Sequence, residues 1–564
     1  MMLPDFHPFL PFLIAGLLAA VTQGRVRSAI MLAAPLIGGY QLMTGTPGWE
    51  QTLQIMDIEL VLYREDALSM LFGKLFHIGA FLCVLFSLHV KDRVQHVAGM
   101  LYAGSAVGAA FAGDLLTLFL FWELLGLSST FLVWASRDDK SISAGMRYLL
   151  FQVLSGVLLM AGALWHWSST GSLAFEEIGL ASGASWLIFL AFGIKCGFPL
   201  LHNWITDAYP ASTPTGTVFL CAFTTKVAIY AMARAFPGTD LLIYIGVVMA
   251  CYPIFFAVIE NDLRRVLAYS MVNQLGFMVV GIGVGTALAL NGAVAHAFND
   301  VLFKGLLFMS MGAVMYVTGR TKATDLGGLY KKMPITTVLC IIGALTISAF
   351  PLFSAFISKS MIMTALLEEG HWAVWTAMLF ASAGVLEHAG IKIPYFAFFA
   401  HDAGLDAKEP PLNMRLAMGI AAVLCVAIGC FPGMLYSILP YDAPYSPYDV
   451  THVLTQLQLL AFATLGIVYL HRSGRYPAEV PSINLDFEWV YRTLLPGIYR
   501  AVVQVITIFV SLLQEGLRAL VRFVVDVITR SHGIDGLLSR TWSTGGMVLW
   551  VAVLLATFQI LYGL

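Results

Sequence analysis

The run Ala191-Phe192-Gly193-Ile194-Lys195-Cys196-Gly197-Phe198-Pro199-Leu200-Leu201 puts a lysine and a proline four residues apart within an otherwise apolar stretch, 186–200. A proline there removes an intrahelical donor and frees carbonyls for water or for the lysine. Nearly the same surroundings return 152 residues later as Ala349-Phe350-Pro351-Leu352-Phe353, with Lys359 eight residues beyond Pro351. Paired interrupted helices in corresponding positions of two halves point to an inverted-repeat transporter with sites near the membrane midplane. Two ordinary proline kinks are the competing reading.

Composition agrees with a membrane setting. The 564 residues are 59% apolar and 11% charged, with 31 Lys+Arg against 33 Asp+Glu. A soluble surface needs about 25% charged residues, which excludes a soluble enzyme. A net charge of −2 without a Lys/Arg-rich run excludes nucleic acid as partner. The seven cysteines lie inside apolar runs without zinc or iron–sulfur spacing and read as packing residues.

A bilayer-spanning helix takes about 20 mostly apolar residues. Runs of that kind have cores at 6–21, 29–43, 67–90, 96–113, 115–134, 144–167, 186–200, 215–233, 241–259, 266–288, 292–316, 335–366, 374–399, 416–439, 453–470 and 547–564. This predicts an all-α polytopic membrane protein with about 16 transmembrane helices. The two prolines fall in segments 7 and 12, five apart, so the halves would have opposite topology. Residues 1–9 lack Lys, Arg and a cleavage site, so the first run reads as a retained anchor. Loops after odd-numbered segments hold sixteen Lys and Arg, and those after even-numbered ones hold only Arg64 and Arg234. The N-terminus is therefore expected outside and the 472–485 linker in the cytoplasm. Residues 485–530 read as a long amphipathic helix on the cytoplasmic surface or against the bundle, with the alternative that 501–513 dips into the membrane. The expected organisation is 1–93, N-terminal helices; 94–400, a core of two inverted five-helix repeats; 401–475, two further helices; 476–546, linker and amphipathic helix; and 547–564, a last span.

Function is sought in ionisable groups within these runs, since each is costly there. Glu123, Lys195, Lys226, Lys304 and Lys359 qualify, and Glu387, His388 and Lys392 share one run. Five unpaired lysines would cost on the order of 12 kcal/mol, comparable with a domain's stability. They must be paired or hydrated. His296, Asp300 and Lys304 follow at four-residue intervals, so on a helix they project within about 80° of one another over roughly 12 Å. Asp300 either neutralises Lys304 as a static pair or carries a proton itself. His202, Asp207 and Tyr209, just past the first break, are a capped polar loop or a channel mouth.

The series FWELLGL, FGIKCGFPLLHNWITDAYPASTPTGT, KVAIYAMAR, NDLRRVLAYSMVNQLG, HAFNDVLFKGLLFMSMG and FPLFSAFISKS, over about 94–399, resembles the proton-pumping antiporter-like subunits of respiratory complex I, membrane-bound hydrogenases and multi-subunit (Mrp-type) cation/proton antiporters. HAGIKIPYFAFFAHDAG and LDFEWVYR make it most similar to the D subunit of the multi-subunit Na⁺/H⁺ antiporter. The resemblance implies that Glu123 pairs with the broken-helix Lys195, and that Lys226, His296 and Lys304 continue the proton row. It also implies that Lys359, after the second break, is the last group before release. Two departures are Asp300, where some members have a second histidine, and Asn273-Gln274, where the family has Ser-His.

Two functions follow. One is the proton-translocating subunit of a Na⁺ or K⁺/proton antiporter in the cell inner membrane; the other is the proton-pumping subunit of a complex I-like, hydrogenase-like or other proton-driven complex. Both imply other membrane subunits, lipid, protons and a monovalent cation as partners. Neither makes the chain an enzyme alone, and no motif for a flavin, quinone, cluster or metal is present, so no cofactor is expected.

Overall fold

The computed structural model describes residues 6–563 apart from 46, 47, 57, 478, 481–483, 535, 540 and 541. It is predominantly helical, and among the described residues twelve helices are long and apolar enough to cross a membrane. The chain is a polytopic membrane protein. It divides into two compact units, Met1–Asp486 and Phe487–Leu564.

In the first unit the Ala287–Thr318 helix is the hub, packed by Leu263–Val284, Pro214–Ala222, Pro334–Ile347, Ser354–Glu368 and Leu412–Cys430. Leu263–Val284 shows why these sequences bury so completely: apolar residues occur all round the helix, so no face is left for solvent. Asp262 caps its first turn, accepting from the Arg264 and Arg265 N–H groups.

Helix Gly183–Cys196 stops at Gly197, which has φ +79°, and the chain becomes helical again over Asn203–Ala211. Helix Pro334–Ile347 stops likewise, and Ser354–Glu368 resumes beyond it. The two connecting turns match bond for bond. Phe198 N–H donates to Gly193 O at 3.0 Å and Leu201 N–H to Phe198 O at 2.9 Å; Phe350 N–H donates to Leu345 O at 3.1 Å and Phe353 N–H to Phe350 O at 3.2 Å. Positive φ falls at Gly197 and Leu200 in one turn, and at Ala349 and Leu352 in the other.

Three features differ from the sequence expectation. The 215–233 run is two helices, Pro214–Ala222 and Thr224–Ala235, parted at Phe223, where φ −115° and ψ −66° interrupt the ladder. Strands Glu50–Ile55 and Ile58–Arg64 form an antiparallel hairpin, so the fold is not purely α. Val61 secures the hairpin, its N–H donating to Asp114 Oδ2 at 2.8 Å and its O accepting from Gly113 N–H at 2.9 Å. Gly113 is required there, because a Cβ would lie 2.4 Å from Val61 Cγ1. Finally, Cys430 is exposed at the end of its helix rather than packed.

The second unit contains helices Leu495–His532 and Thr544–Tyr562. The first has 38 residues, about 57 Å at 1.5 Å per residue, with Arg500, Arg518 and Arg522 interrupting its apolar positions.

Candidate functional site

The lysines expected from the sequence lie in the interior of the first unit. Lys195, Lys226 and Lys304 are 0% exposed and Lys359 is 4% exposed. Each occupies a place where helix geometry or a neighbouring side chain offers an oxygen.

Lys195, in the last turn of Gly183–Cys196, donates from Nζ to Trp122 O at 2.5 Å and lies 4.5 Å from the centroid of the Trp122 ring. Cation–π attraction supplements that bond. Ser155 fixes the indole, accepting from Trp122 Nε1–H at 2.9 Å and donating to Ala191 O at 2.7 Å. Glu123 is adjacent on helix Leu115–Trp134, yet it makes no ion pair with Lys195 within 4.0 Å among the described residues. Its Oε1 occupies the space where a Cβ of Gly156 would stand. The pairing implied by the family is thus open in this conformation.

Lys226 sits just past the Phe223 interruption and donates to the Cys221 carbonyl at 3.0 Å. It forms an ion pair at 2.6 Å with Asp300 Oδ2, both side chains 0% exposed. Lys304, one turn beyond Asp300 on helix Ala287–Thr318, instead donates to Ser270 Oγ at 2.8 Å. Of the two alternatives for Asp300, the static pair with Lys304 is therefore not what forms; the acid turns to a different helix.

His296 is held on both sides. Nε2 lies 3.0 Å from Gln274 Oε1 and Nδ1 2.9 Å from Ser358 Oγ. An amide oxygen only accepts, so Nε2 carries the hydrogen and Nδ1 accepts from the serine hydroxyl. Gln274 in turn donates to Asn273 Oδ1 at 2.6 Å, and Asn273 donates to Ala250 O at 2.5 Å. The Asn-Gln departure from the family pattern is thus the clamp that sets the histidine tautomer. Asn299 donates to Ser354 O at 2.8 Å and to Ser358 Oγ at 3.1 Å, fixing the same serine.

Lys359 follows that serine. Its Nζ donates to Ile347 O at 3.0 Å, a carbonyl freed where the helix stops, and lies 4.8 Å from the Phe277 ring centroid. It borders a cavity of about 230 Å³ whose other walls include Thr364, His452 and Gln456. His452 Nε2 lies 3.1 Å from Thr364 Oγ1, and its Nδ1 lies 2.7 Å from the half-exposed Asp449.

The Glu387, His388 and Lys392 set divides. Lys392 Nζ donates to Val258 O at 2.6 Å and Glu260 O at 2.8 Å and pairs with Glu479 at 2.8 Å. It is a cation on the C-terminus of Asp240–Ile259, where the helix dipole favours one. Tyr476 OH donates to Glu387, and His388 is fully buried. Burial raises the Glu479 carboxyl, and Lys392 lowers it by less. Near the first break, Asp207 is held by Arg147 at 2.7 and 3.2 Å, and Tyr209 OH donates to Leu220 O at 2.8 Å. His202, the third of that trio, faces Asp486.

Sequence reasoning missed Asp486, Ser270, Ser358 and His452, polar residues that become partners only through tertiary packing. Gln274 was visible as a departure from the family pattern.

Comparison with known proteins gives this geometry a family. The family described as "NADH:quinone oxidoreductase/Mrp antiporter, TM" matches residues 112–384. The NADH-quinone oxidoreductase subunit N of Desulforudis audaxviator is 31% identical, over 77% of this chain and 93% of its own length. Hydrogenase-4 component B of Escherichia coli is 27% identical over 86% and 80%. The D subunit of the Na(+)/H(+) antiporter of Bacillus subtilis is 25% identical over 58% and 70%. Among solved structures, the Mrp complex of Dietzia sp. has a chain aligned over 91% of this one and 62% of its own length, at TM-score 0.74 and 24% identity, a likeness of fold. The series of motifs that resembled the antiporter-like subunits is thus borne out, and the chain belongs to the family of NADH:quinone oxidoreductase/Mrp antiporter membrane subunits.

Proposed function

We propose that this chain is the proton-translocating subunit of a multi-subunit Na⁺ or K⁺/proton antiporter of the cell inner membrane, with about 16 transmembrane helices and its N-terminus outside. Protons pass along a row made of Glu123, Lys195, Lys226, His296, Asp300, Lys304 and Lys359, with water between. The segments carrying Pro199 and Pro351 are the broken helices of an inverted repeat, and their turns admit and release protons.

The observation that carries this reading is that the four buried lysines of the row have one carboxylate ion pair between them among the described residues. Lys195, Lys304 and Lys359 each rest on a neutral oxygen, at 2.5, 2.8 and 3.0 Å. A buried ammonium held only by neutral acceptors gives up its proton far more readily than one in an ion pair. Movement of Glu123 from Gly156 towards Lys195 would raise proton affinity there, and its return would lower it.

A second reading is favoured by the relatives named for NADH-quinone oxidoreductase and hydrogenase-4, which match longer stretches of this chain than the Bacillus subtilis antiporter protein does. In that case the same row serves a redox-driven or proton-driven complex. The chain carries no redox centre of its own under either reading and acts with other membrane subunits. Purification of the native complex identifies the neighbouring subunits. Everted vesicles carrying it should then collapse a proton gradient on addition of Na⁺ or K⁺; formation of a proton gradient on addition of a redox substrate, with no collapse by Na⁺ or K⁺, selects the second reading.

A further inference from the structure

The LDFEWVYR motif has no part in the proton row, yet its aspartate is deeply placed. The Asp486 side chain is 0% exposed. Its Oδ2 accepts from Asn203 Nδ2 at 2.8 Å and from Tyr269 OH at 2.9 Å, and lies 3.2 Å from His202 Nε2. Its Oδ1 accepts from Tyr252 OH at 2.5 Å. These partners come from three separate helical segments, and His202 is the residue immediately before helix Asn203–Ala211, at the end of the turn that follows Lys195.

The depth of the carboxylate is informative. Tyr269 lies six residues inside Leu263–Val284, and Tyr252 seven residues before the end of Asp240–Ile259. At 1.5 Å per residue both side chains originate about 10 Å in from the helix ends. A linker that needed only to be tethered could be held at the surface; here its acid reaches into the protein beside the first break.

We propose that Asp486 and His202 form the proton-collecting pair at the cytoplasmic mouth of the row, an assignment that rests on the proton-translocating function proposed above. As found, a carboxylate faces an imidazole whose Nε2–H points at it. A proton arriving from the cytoplasm bonds either to Asp486 or to the free Nδ1 of His202. In the second case the imidazolium can pass the Nε2 proton to Asp486, breaking one N–H bond and forming one O–H bond. The pair therefore stores one proton beside the turn leading to Lys195, without net movement of heavy atoms. Tyr252 donates to Oδ1 and Tyr269 to Oδ2, so each oxygen of the carboxylate has a hydroxyl donor, and Asn203 fixes the carboxyl orientation.

The plain alternative is a mechanical clamp that fastens the linker. The two separate on Asp486→Asn, which keeps the size and an accepting oxygen but cannot carry a proton. Proton flux in vesicles holding the assembled complex is measured together with hydrogen–deuterium exchange over residues 473–486, with Lys195→Ala in parallel. The expected result is a flux loss of at least tenfold for Asp486→Asn with exchange unchanged, and recovery of at least half the flux in Asp486→Glu. Wild-type flux in Asp486→Asn beside an inactive Lys195→Ala overturns this assignment alone. Full flux in Lys195→Ala overturns the underlying proton-row reading instead. Lost flux with faster linker exchange assigns a clamp and also overturns the proposal. If Asp486→Asn does not assemble, His202→Gln serves, since it retains a donor near Nε2 but has no second proton site; full flux in that variant overturns the transfer.

Discussion

Asp300 and Lys226 meet at 2.6 Å from different helices, both out of contact with solvent, although Asp300 stands one turn from Lys304 on its own helix. The lean of helical side chains towards the N-terminus would by itself bring Lys304 to Asp300, yet Lys304 donates to Ser270 Oγ at 2.8 Å, and it is Lys226 that reaches Asp300 from across the interface. Removing one partner of such a pair strands a buried charge, at a cost of about 3–5 kcal/mol. Asp300→Asn should therefore lower the thermal midpoint of the solubilised complex. The double variant Lys226→Gln/Asp300→Asn should recover most of that loss while proton flux stays absent. A double variant less stable than either single would show that the pair is not an isolated electrostatic unit.

With Asp300 engaged elsewhere, Lys304 has a serine hydroxyl as its partner. Arginine keeps the charge but holds its proton too tightly to exchange it. Lys304→Arg is expected to stop proton flux in vesicles with the complex still assembled; near-wild-type flux would remove Lys304 from the path.

Glu123 has the opposite arrangement, an acid beside a lysine with which it forms no ion pair. Glu123→Gln and Lys195→Ala should each abolish transport, with the double variant no worse than either. The contact with Gly156 supplies a subtler probe. A methyl group at 156 would overlap Glu123 Oε1 and force the carboxylate out of its present position. Gly156→Ala is predicted to change the pH at which flux is half-maximal rather than to eliminate flux, and an unaltered pH profile would show that Glu123 does not set proton affinity.

Orientation is tested at position 474. In a chain whose exposed Cys430 is replaced by serine, a cysteine in place of Gly474 should be silent to an impermeant thiol reagent in intact cells and reactive in everted vesicles. Labelling in intact cells reverses the assignment of sides.

The helical segments were legible because each is a long apolar run closed by a capping or breaking residue. Asp114 before Leu115 and Asp262 before Leu263 accept from the first N–H groups of their helices, and both are visible as Asp preceding an apolar run. The hairpin carried a signal too, in Thr52-Leu53-Gln54-Ile55 and Ile58-Glu59-Leu60, whose period is two rather than 3.6. A count of apolar runs passes over strands of six and seven residues. For the site, the lysines declared themselves by residing where charge is expensive. Their partners did not, because a serine or a main-chain oxygen is inconspicuous in sequence; that Lys359 would use Ile347 O depends on the turn returning the chain towards itself. Asp486 was hidden for a different reason. It lies 284 residues from His202, and neither local pattern nor periodicity reports a contact at that separation.

The two Phe-Pro turns share their hydrogen bonds but not their backbone comfort. Gly197 takes the left-handed conformation freely, while Ala349 occupies it with a Cβ, and Leu200 and Leu352 do so in both turns. A non-glycine residue held there costs on the order of 1 kcal/mol, so the duplicated joint is a matched pair with unequal preload. Ala349→Gly should relax the second joint and raise the thermal midpoint, whereas Gly197→Ala, whose Cβ would stand 2.9 Å from Ile205 Cδ1, should lower it. The turn that precedes Lys359 therefore holds more backbone strain than the turn that follows Lys195.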